Sequence, residues 1–149
     1  MSRIIDVNIT IESSIENLDS CGLADGDIEK TVSQAVGRYK FSERSAILLY
    51  HEKSEGGDIR SEISYQDGTL TVKRSGAIES NMQFKEGEAH CSVYSIPPYR
   101  FDAEVRTRRI RVGLDENGGA IDLIYNMKIG GAEKSARMKI WISENSNQA

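Results

Sequence analysis

At 149 residues, with 28% charged and only 7% aromatic side chains, the chain is one domain, large enough to bury an aliphatic core without metal or disulfide support. Its net charge of -4 and pI near 5.3 argue against a general nucleic-acid binder, which is normally basic. The longest apolar run, Ala46-Ile47-Leu48-Leu49-Tyr50, is far short of a membrane span, so no membrane partner is expected.

From the start, apolar residues recur at every second position. Ile5, Val7, Ile9 and Ile11 share one parity, while Asp6, Asn8, Thr10 and Glu12 take the other. A strand sends successive side chains to opposite faces, so this is a sheet dry on one side and wet on the other. The opening also lacks a signal-peptide core, and Cys21 and Cys91 are too far apart for CxxC spacing. Two reduced thiols and a cytoplasmic location are therefore expected.

Strands are expected at 3–16, 28–40, 44–52, 58–66, 69–76, 77–85, 89–96, 100–114, 119–130 and 134–143. The second is ambiguous. Ile28, Val32, Ala35, Val36 and Tyr39 fit helical spacing with Asp27 as N-cap, whereas β-branched Thr31, Val32 and Val36 and an internal Gly37 favour a strand. The links are hairpin-like, as in Gln66-Asp67-Gly68 and Glu116-Asn117-Gly118-Gly119, and force antiparallel neighbours. A meander of this many strands either keeps exposed edges or closes, and closure into a barrel removes the edges. Residues 1–143 are thus one all-β barrel domain, with 144–149 as a disordered tail.

One strand switches phase. Phe101, Ala103, Val105 and Thr107 hold odd positions, and Ile110, Val112 and Leu114 hold even ones. A β-bulge near Arg108 and Arg109 returns both groups to one face and turns Arg106, Arg108, Arg109 and Arg111 outward together.

The layout resembles the uncharacterised YwiB-like bacterial proteins, small β-barrels of the calycin (lipocalin-like) type. The similarity lies in Arg74-Ser75-Gly76-Ala77, Asn81, Phe84, Gly87, Tyr94, Thr107, Ile110, Leu114-Asp115-Glu116, Tyr125-Asn126-Met127 and Met138. Gly37-Arg38-Tyr39, Leu48, Tyr50 and Glu52 match the early strands. The resemblance implies a strand for the ambiguous second element and a closed up-and-down calycin barrel. It departs at Pro97-Pro98-Tyr99-Arg100, where the family has a Gly. It implies no activity, so no catalytic residue follows from it.

GxxxxGK[ST], GxGxxG, HExxH and GxSxG are all absent. His51 and Glu52 are strand neighbours pointing apart, which makes them rim residues before an acid/base pair. A metal site at His51, His90 and Cys91 would need three strands to converge, and Asp25-Gly26-Asp27 lacks further oxygen ligands. No metal, cofactor or catalytic residue is expected, and an enzyme is the least favoured class.

Two features carry a binding reading. Five of eleven arginines fall between Arg100 and Arg111. Arg106, Arg108, Arg109 and Arg111 are either a solvated face neutralised from the next strand or a patch for an acidic protein or RNA. Arg74 shares parity with Leu70 and Val72, so it is either a rim arginine bonded to a turn or an anchor for an anionic head group. Tyr65, Tyr94 and Tyr125 are the accompanying candidates. A non-enzymatic lipocalin-like barrel binding a small apolar or anionic ligand is the leading expectation.

Overall fold

Parity and short Gly-rich links produce the architecture that they imply. The computed structural model describes residues 3–18 and 24–145, without the side chains of 24–27. Cys21 and residues 146–149 of the expected tail lie outside the described residues, as do the side chains of Asp25 and Asp27. Ten strands follow one another: β1 (Arg3–Leu18), β2 (Ala24–Ser42), β3 (Ser45–Ser54), β4 (Gly57–Gln66), β5 (Thr69–Gly76), β6 (Glu79–Lys85), β7 (Ala89–Ile96), β8 (Tyr99–Asp115), β9 (Gly118–Ile129) and β10 (Ala132–Glu144). Each pairs antiparallel with its chain neighbours, and β1 pairs with β10 from Val7↔Glu144 to Asn17↔Lys134, closing the barrel.

The ambiguous element is a strand throughout. β10 ends one residue later than expected, at Glu144, and Asn145 N donates to Asp6 O at 2.8 Å. β6 starts two residues later than expected. Gly76 takes φ +109 and Ala77 N donates to Asp58 O at 3.0 Å, so Ala77 and Ile78 form the turn.

The inner face is the one that the alternation marks. Val7, Ile9, Tyr39, Leu48, Leu70, Phe84, Leu123 and Ile140 are all fully buried and form one contiguous core. Phe84 and Tyr125 meet across it with ring centroids 4.9 Å apart and planes at 59°. The bulge falls where the phase switch puts it: Thr107 faces Tyr125, Arg109 faces Ile124, and Arg108 is the extra residue. Ala103, Val105 and Thr107 are buried, while Ile110, Val112 and Leu114 are half-buried against the core.

Two seams thin the wall. The β2–β3 ladder runs only from Ser42↔Ser45 to Gly37↔Tyr50, and the β6–β7 ladder has only Glu79↔Ser95 and Ser80↔Tyr94. At Gly37 the strands approach so closely that a Cβ would collide with the Leu49 carbonyl oxygen. Beyond it, β2 continues with β1 as its sole ladder partner among the described residues. No helix among the described residues is long and apolar enough to cross a membrane.

Candidate functional site

Arg74 is the charge that parity places on the inner face, and the register shows its company. Along one level of the barrel, Tyr50 pairs with Ser61, Ser61 with Arg74, Arg74 with Ser80, Ser80 with Tyr94 and Tyr94 with Phe101. These side chains share the inner face at the end where β5 turns at Gly76, so they form a polar level above the packed core. Val72 and Leu70 sit below Arg74 on the same strand.

The Arg74 charge acts on two buried phenols. Burial pushes the Tyr50 hydroxyl up to about 12, helped by the Glu52 carboxylate and opposed by Arg74. Burial likewise raises Tyr125, again with Arg74 opposing and Tyr94 adding to the rise. Both phenols therefore stay protonated at neutral pH and can donate. Arg74 Nε is buried without a hydrogen-bond partner, as is Ser61 Oγ. The Tyr50 hydroxyl lies near Ser61 but makes no bond that satisfies Ser61 Oγ. Among the described residues the Arg74 side chain makes neither a hydrogen bond nor an ion pair, so the turn carbonyl expected of a structural arginine is missing.

Arg74 also lines a groove of about 720 Å³ that opens outward beside the β6–β7 seam. Arg60, Lys73 and Arg100 bring three further cations from β4, β5 and β8, against Glu62 and Glu79. Ser75, Asn81 and Ser95 add neutral hydrogen-bonding groups. These residues escaped the sequence reading because they stand on outward positions of separate strands, and only the register assembles them.

Three of the four expected mouth residues, Arg74, Tyr94 and Tyr125, converge. Tyr65 does not: it pairs with Leu70, four residues along β4 from Ser61, or roughly 13 Å at strand rise. It lies toward the other rim, beside the Asp67-Gly68 turn.

Arg106, Arg108, Arg109 and Arg111 are exposed, and none forms an ion pair within 4 Å among the described residues. Register extends the stripe: Arg109 and Arg137 flank Ile124, and Ser14 separates Arg137 from Lys30. Asp122 answers part of this charge. It binds Arg137 bidentately at 2.9 and 3.1 Å, which holds its carboxyl below the usual carboxylate range, and Lys139 and Arg109 lower it further. His51 is exposed on the outer face of β3, with half-buried Glu52 beside Tyr50. His90 and Cys91 are adjacent on β7 and face opposite ways. No group of three metal-ligating side chains occurs among the described residues.

Residues 14–142 match the family described as a domain of unknown function, DUF1934. The chain is similar to the uncharacterized beta-barrel protein YwiB of Bacillus subtilis (strain 168), at 25% identity over 130 residues and 87% of each chain. The crystal structure of ywiB protein from Bacillus subtilis shares the fold, with a TM-score of 0.83 at 24% identity over 96% of this chain and 94% of that one.

Proposed function

The chain belongs to the DUF1934 family, which brings a barrel and no activity, and from the geometry of the mouth we propose a non-enzymatic binding protein for a small, multiply charged anion. The observation that carries this reading is Arg74, whose buried Nε lacks a partner in a groove with Arg60, Lys73 and Arg100. Leaving a buried donor unmade costs about 1–3 kcal/mol, and an anionic ligand would recover that cost with a charge-assisted bond. The packed interior below Arg74 favours a ligand of headgroup size over a long apolar tail, because Leu70, Phe84 and Leu123 already fill it. Tyr50, Tyr94 and Tyr125 supply donors on the inner side of the same charge.

Calorimetric titration with inorganic phosphate, pyrophosphate, citrate and a fluorescent fatty acid tests the proposal. The compact polyanions should bind more tightly than the fatty acid. Arg74→Ala should weaken them more than about tenfold while leaving the melting temperature within a few degrees. Silence toward all three polyanions, or unchanged binding with a lowered melting temperature, would end the anion-anchor reading.

A second reading rests on the unpaired outer stripe. Arg106, Arg108, Arg109 and Arg111, widened by Arg137 and Lys30, suit a phosphate backbone. RNA or heparin retention on this stripe should fall steeply with salt and vanish when the four β8 arginines are neutralised. Lack of retention in low salt would leave a solvated face.

A further inference from the structure

The β2–β3 seam leaves a long strand edge uncovered. From Ala24 to Val36, β2 pairs with β1 on one side and with no strand on the other among the described residues. Natural proteins usually blunt such edges with prolines, bulges or very short strands. Here the one register shift lies at the start of the edge, between Glu16↔Ile28 and Leu18↔Ala24; from Ile28 to Val36 the edge is regular, and it carries Ile28, Val32 and Val36 at 53%, 65% and 67% exposure. All three stand on the outer face of β2, four residues apart, with Lys30 and Gln34 between them.

We propose that this edge pairs two copies of the chain, antiparallel, about a two-fold axis at Val32. The sequence of the edge is complementary to itself in that register. Val32 meets Val32 of the second copy, Ile28 meets Val36, and Lys30 meets Gln34. On the other face, Glu29 meets Ala35 and Thr31 meets Ser33. Every apolar side chain thus gains an apolar partner, and neither charged residue faces its like. Shifting the register so that Ile28 meets Val32 would set Lys30 against Lys30. Shifting it so that Ile28 meets Gln34 would set Ile28 and Val32 against the polar Gln34 and Lys30.

Space and symmetry agree with this occupant. Open grooves of about 700 and 770 Å³ run beside the edge, lined by Gln34, Ala35, Val36 and His51 among others. Each copy offers one such edge, so the pairing is isologous and closes at two chains, where a head-to-tail contact would extend into a fibre. The joined sheet would run from β1 and β2 of one copy into β2 and β1 of the other. Main-chain hydrogen bonds supply the affinity and the spacing of the apolar residues supplies the register.

Sedimentation of the full chain at micromolar concentration should give twice the 16.6 kDa chain mass. Val32→Lys and Val32→Glu each place like charges across the axis and should return the chain to its single mass. Because Val32 is exposed, each variant should stay folded, with a melting temperature that no longer rises with protein concentration as that of the wild type does. Mixing the two variants is the sharper readout, since Lys against Glu should restore a one-to-one dimer visible by native mass spectrometry. A wild-type chain that stays at single mass would overturn the proposal. So would a dimer indifferent to Val32→Lys, or variants that fail to recombine.

Discussion

At the β6–β7 seam the ladder stops after two rungs, and the turn between those strands swings onto β8. Gly87 N donates to Thr107 O and Thr107 N to Glu88 O, each at 3.0 Å, while Glu86 Oε1 accepts Ile110 N at 3.1 Å. At the β2–β3 seam the ladder stops at Gly37↔Tyr50, and β2 runs on with its outer edge uncovered. The difference is the 86–88 turn, which β2 has no counterpart for among the described residues. Past Ala89↔Arg106 the 86–88 turn carries the β7–β8 ladder on to Thr107, beside the bulge at Arg108, and Glu86 takes Ile110 N, so that seam is resealed from within. Regular β2 offers its spare groups in a straight row, which suits another strand better than a turn.

The largest expected effect breaks the open seam at its last rung. Gly37→Ala puts a Cβ into the Leu49 carbonyl and against Ile9 and Tyr50, so it should cost roughly 3 kcal/mol in a urea titration. Gly113→Ala, with open space around its Cβ, should be nearly silent. Equal losses from both would mean that the close approach at Gly37 does not hold the strands together. The resealed seam is probed next to the bulge. Ile110→Asp should cost about 2 kcal/mol because Ile110 packs on the core, whereas Arg109→Asp should stay within about 0.5 kcal/mol. Similar costs would remove the phase switch. Glu86→Ala removes the acceptor for Ile110 N and should cost about 1 kcal/mol, with Glu86→Gln recovering most of it.

Much of this comparison was legible in the sequence, and the illegible part has a physical reason. The parity of Ile5, Val7, Ile9 and Ile11 marks the inner face because a half-buried sheet leaves no other place for them. The break between Thr107 and Ile110 marks the bulge because strand period is rigid at two. Parity says nothing, however, about how closely two backbones approach, so Gly37 reads as a helix-weakening residue until Leu49 is seen beside it. Height along the barrel is also hidden when attention stays on single strands. Tyr65 and Arg74 share a face yet stand at different levels, and Arg60, Lys73 and Arg100 meet only through register.

The smallest effect at neutral pH, and the last to emerge on titration, concerns the phenols flanking the open seam. Tyr50 occupies the final β2–β3 rung, and Tyr39 lies two residues inside it, donating to Asp115 O at 2.7 Å. Burial raises both from the ordinary value of 10.0 to about 12, with Asp115 adding to the rise at Tyr39 and Glu52 at Tyr50. An acid whose folded pKa exceeds its unfolded value stabilises the fold fully below the unfolded value. That contribution declines as pH climbs from 10 toward 12, because the unfolded chain releases its protons first. Melting temperature should therefore be flat up to pH 10 and fall steeply above it, with phenolate absorbance rising along the same curve as the loss of β-sheet signal. Tyr39→Phe loses the bond to Asp115 O and should be less stable at neutral pH, yet its decline above pH 10 should be shallower than that of wild type. A decline of unchanged steepness would mean that the open seam does not govern alkaline unfolding, and would place the weak point at Tyr125 and the resealed side instead.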